Sequence, residues 1–269
     1  MKKPTITIVI PCFNEASRLA RCLDAIALQN VPVAEVIVVD NNSTDDTVKI
    51  AESYRFVRVI KESRQGIVFA RNTGFDAVKS DIIGRIDADT ILEPDWTERL
   101  TKFYQHHTGA VSGSSYFYNV PAQTFARHLT NFLLYRVDKL LSGFHTLWGS
   151  NMALPRELWL QVRERVCTEN IHEDHDLANH IHEIGQPITY LRKLLAGVEM
   201  KAGFMGAGKT WEYLSRWPKM QTSHHIRGAR VLWLIVVPMW LLHWVPVVAR
   251  QCIDFTERRL FAPDHHSKS

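Results

Sequence analysis

Over its first hundred residues the chain alternates short continuous apolar runs with stretches of helical apolar spacing, and that alternation admits few architectures. Ile6–Ile10 and Glu35–Val39 are rich in β-branched residues, too short for buried helices, and bounded by Pro11 and by Asp40-Asn41-Asn42. Between them Leu19, Cys22, Leu23, Ile26 and Ala27 fall on one face of a helix predicted over Ala16–Gln29, which completes a βαβ unit. Ser43-Thr44-Asp45-Asp46 then supplies N-cap chemistry for a helix over Thr47–Tyr54. A strand at Val57–Ile60, a helix at Gly66–Val78 and a strand at Ile82–Ile86 repeat the theme. Strands apolar at every position are covered on both faces. The expected fold is therefore α/β, a mixed, mainly parallel sheet flanked by helices, with ligands at the carboxyl ends of the strands.

The 269 residues include 32 Lys and Arg against 28 Asp and Glu, and 46% are hydrophobic, the composition of a folded chain. A net charge of +4 without any basic run interleaved with aromatics argues against nucleic acid as a partner. Cys12, Cys22, Cys167 and Cys252 show no C-x-x-C spacing. Neither a disulfide framework nor a cysteine zinc site is expected, and a reducing compartment fits. The Met-Lys-Lys start has the charge of a signal peptide, but Pro11, Asn14 and Glu15 end the apolar run early, so Thr5–Ile10 is expected as a strand.

Within this scheme Glu15 lies just past the first strand, Asp40 ends the second, and Asp87 and Asp89 end the fourth. Each alone serves equally as a cap or turn acid. Four at matching strand ends point to one crevice. Asp87-Ala88-Asp89 puts acids at i and i+2, and an extended backbone sends both side chains to one side. Paired hard oxygens suit Mg²⁺ or Mn²⁺, which completes its shell with water and substrate phosphates. The ligand implied is a nucleotide diphosphate.

Four runs, ITIVIPCFNEASRLARCLDAI, EVIVVDNNSTDDT, GIVFARNTGFDA and DIIGRIDADT, resemble in order and spacing the family 2 glycosyltransferases of GT-A fold over about residues 5–100. WGSNMALPRELW at 148–159 and NIHEDHDLANHI at 170–181 continue the resemblance more weakly. It implies an inverting, metal-dependent transfer of a sugar from a UDP- or GDP-sugar to a hydroxyl of a glycan or lipid-linked acceptor. It gives Asp40 the base and ribose, Asp87 and Asp89 the divalent metal with Asp89 its direct ligand, and Glu15 and Arg71 the nucleotide pocket. Pro11, Asn14, Asn42 and Ala88 stand in the same runs and are expected beside that pocket. Glu173-Asp174 matches the family's E-D motif, whose aspartate is usually the catalytic base. The chemistry asks for such a group, because an acceptor hydroxyl must lose its proton as it attacks the anomeric carbon. In-line attack then inverts that centre. The same acids, with Asp176, also suit the first turn of a helix running to Ile184.

A second motif competes. Gly203–Thr210 satisfies G-x-x-x-x-G-K-[ST], the phosphate-cradling pattern of nucleotide hydrolases. Val198–Ala202 makes a poor core strand before it, and the 59 residues after Thr210 leave little room for a hydrolase core. The glycines and Lys209 are expected instead as a lid over a donor diphosphate. Tyr213-Leu-Ser-Arg216-Trp217 resembles the Q-x-x-R-W motif of processive family 2 synthases, but Tyr replaces Gln, which speaks against processive synthesis. Arg216 is expected either against the leaving diphosphate or as an ordinary surface arginine. His172, His175, His180 and His182 crowd these acids without H-E-x-x-H spacing, so a solvated face or acceptor-pocket lining is expected before zinc. Phe125–Leu141 reads as a core or in-plane amphipathic helix, and Trp148 as a stacking surface for a sugar or, equally, a buried core side chain.

Val231–Ala249 holds 19 residues whose only ionisable group is His243. As a helix it spans about 28 Å, close to a bilayer core. Pro238 and Pro246 kink such a helix, and Trp233, Trp240 and Trp244 prefer interfaces. Membrane contact is expected, with a buried helix as the alternative. The organisation expected is a catalytic domain over 1–210 (nucleotide half 1–110, acceptor half 111–210) and a helical attachment over 211–269, at the cytoplasmic face of a membrane. A P-loop hydrolase and a non-catalytic membrane-bound protein of transferase fold are the rivals.

Overall fold

The computed structural model describes residues 3–119, 135–136, 138–168, 172–200, 206–224 and 229–241. Strands β1 (Ile6–Cys12), β2 (Glu35–Asp40), β3 (Val57–Lys61) and β4 (Ile82–Arg85) alternate with helices α1 (Ala16–Ala27), α2 (Thr47–Glu52) and α3 (Ile67–Ala77). They lie parallel in the order β3-β2-β1-β4, as the alternation predicts. Next come β5 (Ile91–Leu92), α4 (Trp96–Tyr104), β6 (Ala110–Phe117), α5 (Asp138–Ser142), β7 (Met152–Pro155), α6 (Arg156–Val162), α7 (Glu173–Glu183), β8 (Ile188–Val198), α8 (Ala207–Ser223) and α9 (Trp233–Leu241). The sheet continues β4-β7-β6-β8-β5. There β7 runs antiparallel to β4 and β6, β8 parallel to β6, and β5 antiparallel to β8.

The continuous apolar strands divide their side chains between two cores by the two-residue period. Ile6, Ile8 and Ile10 of β1 face Leu19, Cys22, Leu23 and Ile26 of α1 and Trp96 and Leu100 of α4. Val9, with Ile37 and Val39 of β2, faces Ala70 and Phe75 of α3, Trp159 of α6, and Leu177 and Ile181 of α7. One hydrophobic layer thus fixes α7, which carries Glu173 and Asp174, to the back of the nucleotide half.

Of the helix expected over Phe125–Leu141, residues 125–134 and 137 lie outside the described residues, and α5 takes up its end. The apolar segment is described only as far as Leu241. Its helix α9 has 9 residues with Pro238 inside, and among the described residues no helix is long and apolar enough to cross a membrane. Leu232 and Val236 are buried against Trp217 and Met220 of α8. Trp211 meets the rings of Trp233 at 5.7 Å and Trp240 at 5.5 Å, while the Trp240 indole N–H donates to the Ala207 carbonyl at 2.9 Å. The outer face stays open, with Leu234 76% and Leu241 55% exposed.

Candidate active site

Strand register brings the expected acids to one end of the sheet. Cys12 at the end of β1 lies opposite Asp40, and Val9 lies opposite Arg85, so the chain leaves β1, β2 and β4 toward Glu15, Asp40 and Asp87 on the same side. Two buried thiols register this gathering of charge. Burial, then Cys22, Glu15, Asp40 and Asp87, hold the Cys12 thiol well above its ordinary range. Burial, then Asp89, Asp87 and Glu15, push Cys22 up in the same way.

The loops after β1 and β2 are knotted into one wall. Asn14 (φ 55°) and Asn42 (φ 67°) both take the left-handed conformation, which asparagine tolerates better than most residues. Asn14 Oδ1 accepts from the Thr44 N–H at 2.8 Å, and Ser43 Oγ accepts from the Asn14 N–H at 3.0 Å. Asp40, 5% exposed, accepts the Ser43 N–H at 3.0 Å, and Asn42 Nδ2 donates to the Ser63 carbonyl at 2.9 Å. Thr47 Oγ1 accepts the Glu15 N–H at 2.8 Å. Pro11 sits in β1 opposite Val39. Asn41, which the sequence offered only as turn chemistry, is buried and holds the next loop. It donates to the carbonyls of Glu62 and Arg64 at 2.8 and 2.7 Å and accepts the Gly66 N–H at 2.8 Å. At about 1 kcal/mol per net bond, Asn41→Ala is expected to cost about 2–4 kcal/mol, read as a lower denaturant midpoint.

Asp87-Ala88-Asp89 is not extended. β4 stops at Arg85, the Thr90 N–H donates to the Asp87 carbonyl at 3.0 Å, and Thr90 Oγ1 accepts the Asp87 N–H at 3.2 Å. These two bonds close a turn, so the two acids differ in burial. Asp89 is 6% exposed and Ala88 3%, whereas the Asp87 side chain is 37% exposed. Tyr118 OH fixes the turn by donating to the Asp89 carbonyl at 3.1 Å. Both acids offer hard carboxylate oxygens at the crevice end of the sheet, a donor set that fits Mg²⁺ or Mn²⁺.

At the centre stands Arg85, an arginine within an otherwise apolar strand and only 2% exposed. Its Nη2 lies 2.8 Å from Glu173 Oε1 and 3.1 Å from Asp87 Oδ1. Burial works against its charge, and Asp87, Glu173, Asp174 and Asp89 more than offset that, so the guanidinium is held firmly protonated. A Cβ at position 149 would stand 1.6 Å from Arg85 Nη1. A side chain there would push the guanidinium off Glu173 and Asp87. The Gly149 N–H donates to Asp174 Oδ2 at 2.7 Å, and the His175 N–H donates to Asp174 Oδ1 at 2.9 Å.

The two neighbouring acids are pushed apart. Burial raises the Glu173 carboxyl despite Arg85. Burial also works on Asp174, but His175, His172, Arg85 and the Gly149 N–H outweigh it and hold that carboxyl below its usual range. His175 is driven down to about 4, burial leading, and is neutral at pH 7. Glu173, expected beside Asp174 as a catalytic residue, is instead an interior group, 4% exposed and turned to Arg85. Arg71, expected on the nucleotide pocket, is 0% exposed. It donates to the Glu173 carbonyl at 3.2 Å, with its guanidinium 5.6 Å from the Trp159 ring. It braces the start of α7 from behind.

On the far side α8 lies against that start. His172 Nε2 is 3.1 Å from the Tyr213 carbonyl, and the rings of His172 and Tyr213 meet edge to face at 5.1 Å. Arg216 Nη2 lies 2.6 Å from Glu212 Oε1. Lys209, in the first turn of α8, is exposed. β8 ends at Val198, so Glu199 and Met200 before the P-loop-like run are not strand, in line with the expectation; residues 201–205 lie outside the described residues. That strand sits beyond β6 and away from β1, β2 and β4. Trp148 is half-buried and meets the His175 ring edge to face at 4.8 Å.

Comparison with known proteins matches the model of the family "Glycosyl transferase family 2" to residues 7–161. The glycosyltransferase GlyA of Streptococcus pneumoniae is 24% identical over 214 residues, 74% of this chain and 31% of that protein. The glycosyltransferase AglE of Haloferax volcanii is 35% identical over 103 residues, 36% of this chain and 34% of that protein. The chain thus spans about a third of the length of these curated relatives. Among solved structures, the mannosyltransferase PcManGT of Pyrobaculum calidifontis, in complex with GDP-Man and Mn²⁺, superposes with a TM-score of 0.66 at 20% identity, covering 98% of this chain and 82% of its own. S. aureus TarS 1-349 with UDP-GlcNAc gives 0.58 at 19% identity, covering 78% and 64%. These likenesses establish the mixed α/β fold of GT-A transferases.

Proposed function

Since this chain belongs to glycosyl transferase family 2, we propose that it is an inverting, metal-dependent transferase moving a sugar from a UDP- or GDP-sugar to a hydroxyl of a glycan or lipid-linked acceptor. The observation that carries the reading is the gathering of Asp87, Asp89 and Asp174 around the buried Arg85, with Asp40 at the same end of the sheet. Mn²⁺ or Mg²⁺ held by Asp89 and Asp87 would neutralise charge on the donor diphosphate. Asp40 and the Asn14–Asn42 wall receive the nucleoside, beside Pro11, Glu15 and Ala88. Asp174 is the base. Its oxygens are oriented by two backbone N–H groups, and its low carboxyl pKa keeps it ionised. It takes the acceptor's proton as the acceptor oxygen bonds to the anomeric carbon and the bond from that carbon to the diphosphate oxygen breaks. Glu173 and Arg71 are positioning residues for α7 rather than groups that touch substrate. Arg216, on the helix beside Asp174, is assigned to the departing diphosphate, and Lys209, in the first turn of the same helix, to the donor diphosphate.

A panel of nucleotide sugars with Mn²⁺, scored by hydrolysis and thermal shift, tests the reading. One donor is expected to stabilise the protein only when metal is present. Asp89→Ala is expected to lower turnover by at least 100-fold and to abolish metal-dependent binding of the matching nucleoside diphosphate in calorimetry. Metal-independent binding of equal strength in both proteins would sink the claim.

The exposed Leu234 and Leu241, the tryptophan cluster and the apolar residues after Leu241 in the sequence support attachment of the 211–269 region to the cytoplasmic face of a membrane, where sugar nucleotides are made. Leu234→Glu is expected to reduce co-sedimentation with anionic vesicles several-fold. Unchanged vesicle binding would remove α9 from the membrane surface.

A further inference from the structure

Behind Asp174, on the opposite side of α7, four side chains from three segments of the chain point at one spot. Asp176 and His180 stand one turn apart on α7. Cys167 belongs to the segment between α6 and α7, and His224 caps the end of α8. One donor atom from each, including the Cys167 sulfur, lies within 4.8 Å of every other. Asp176 Oδ1 is 2.9 Å from His224 Nε2 and 3.5 Å from His180 Nε2. We propose that this is a structural zinc site, with Cys167, Asp176, His180 and His224 as its four ligands.

Three observations converge on a cation there. The donors are a thiol, a carboxylate and two imidazoles, a set that zinc takes tetrahedrally at about 2.0–2.3 Å, with ligand-to-ligand edges of roughly 3.3–3.8 Å. The present spread needs only small side-chain rotations to reach that. His180 is 9% exposed, and its buried Nε2 faces the cluster with only a long 3.5 Å approach to Asp176 Oδ1. Such a weakly satisfied nitrogen is costly to bury and is what a metal would engage. The outer shell is already built. Glu183 Oε2 lies 2.9 Å from His180 Nδ1 and its Oε1 3.7 Å from His224 Nδ1, so one carboxylate backs both rings and leaves both Nε2 atoms for the ion. The Cys167 N–H donates to Asp176 Oδ2 at 2.8 Å, which leaves Oδ1 turned to the histidines. A thiolate and a carboxylate also balance the charge of Zn²⁺, whereas Asp176 at 0% exposure is otherwise a buried anion.

The ligand spacings of 9, 4 and 44 residues match no zinc motif, which is why the cysteine and histidine patterns gave no warning. The site would clamp the end of α8, whose Tyr213 and Arg216 border Asp174, to the first turns of the helix that carries Asp174.

Full-length protein, with any affinity tag removed, is to be assayed for metal by plasma mass spectrometry. About one zinc per chain is expected in the wild type, with at least ten-fold less in Cys167→Ser and in His224→Ala. Asp89→Ala is expected to keep its zinc, which separates this site from the donor metal. Chelated wild-type protein refilled with Co²⁺ alone is expected to show a thiolate-to-cobalt charge-transfer band that Cys167→Ser lacks, even where a variant folds poorly. Folded wild-type protein that takes up neither zinc nor cobalt would overturn the proposal. So would zinc content unchanged by both substitutions.

Discussion

Asp174→Asn is expected to lower kcat by on the order of 10²–10⁴, the range set by losing a positioned general base, with donor affinity and melting temperature nearly unchanged. The asparagine amide is isosteric, and its oxygen can still accept the Gly149 N–H that now binds Oδ2; its NH2 then faces the His175 N–H that Oδ1 now accepts, a cost of about 1 kcal/mol that lowers the melting temperature only slightly. What it lacks is the capacity to take a proton. The loss should therefore appear in turnover with acceptor and not in calorimetric binding of the nucleoside diphosphate. Activity within a few-fold of wild type would remove Asp174 from the chemistry. A loss accompanied by a large fall in melting temperature would instead mark it as a structural cap of α7, the role its position in an acidic first turn also allows.

What was legible in the sequence followed from local patterning. β1 and β2 are apolar at nearly every position, so their parallel pairing and the helices on both faces were read correctly, and the acids after them came to one sheet end. The antiparallel half was not legible. β4 pairs with β7 and β5 with β8 across long separations in sequence, and no run of residues announces such partners. The Asp87–Thr90 turn was misread as extended because a threonine side chain, not the strand pattern, decides the local bonding. Arg85 does leave a signal. A single charge in Ile82-Ile83-Gly84-Arg85-Ile86 has to find buried partners if the strand is central, and Asp87 and Glu173 are the acids that meet it. The space that Gly149 leaves for Arg85 Nη1 appears only when the 63 intervening residues fold back.

The Arg85–Glu173 pair carries the largest expected effect on stability. Arg85→Met removes the guanidinium from between Glu173 and Asp87 and leaves a carboxyl that is 4% exposed without its main countercharge. Breaking one side of a buried pair costs about 3–5 kcal/mol, and that loss is expected in the denaturant midpoint. The penalty has a defined pH dependence. Burial already raises the Glu173 carboxyl in the native state, and without Arg85 it rises further. An acid whose folded pKa lies above its unfolded value near 4.3, the usual figure for glutamate, destabilises the fold as pH climbs from the unfolded toward the folded value. Arg85→Met is thus expected to be closest to wild type near pH 4 and to fall behind as pH rises through neutrality. Glu173→Gln in the same chain removes the stranded charge, so the double variant should regain much of the lost stability and flatten that profile, a coupling of several kcal/mol in the cycle. Recovered stability without recovered turnover would follow if Arg85 sets the place of Gly149 and hence the grip on Asp174. Strict additivity of the two substitutions would mean that the pair is not the support on which the start of α7 rests.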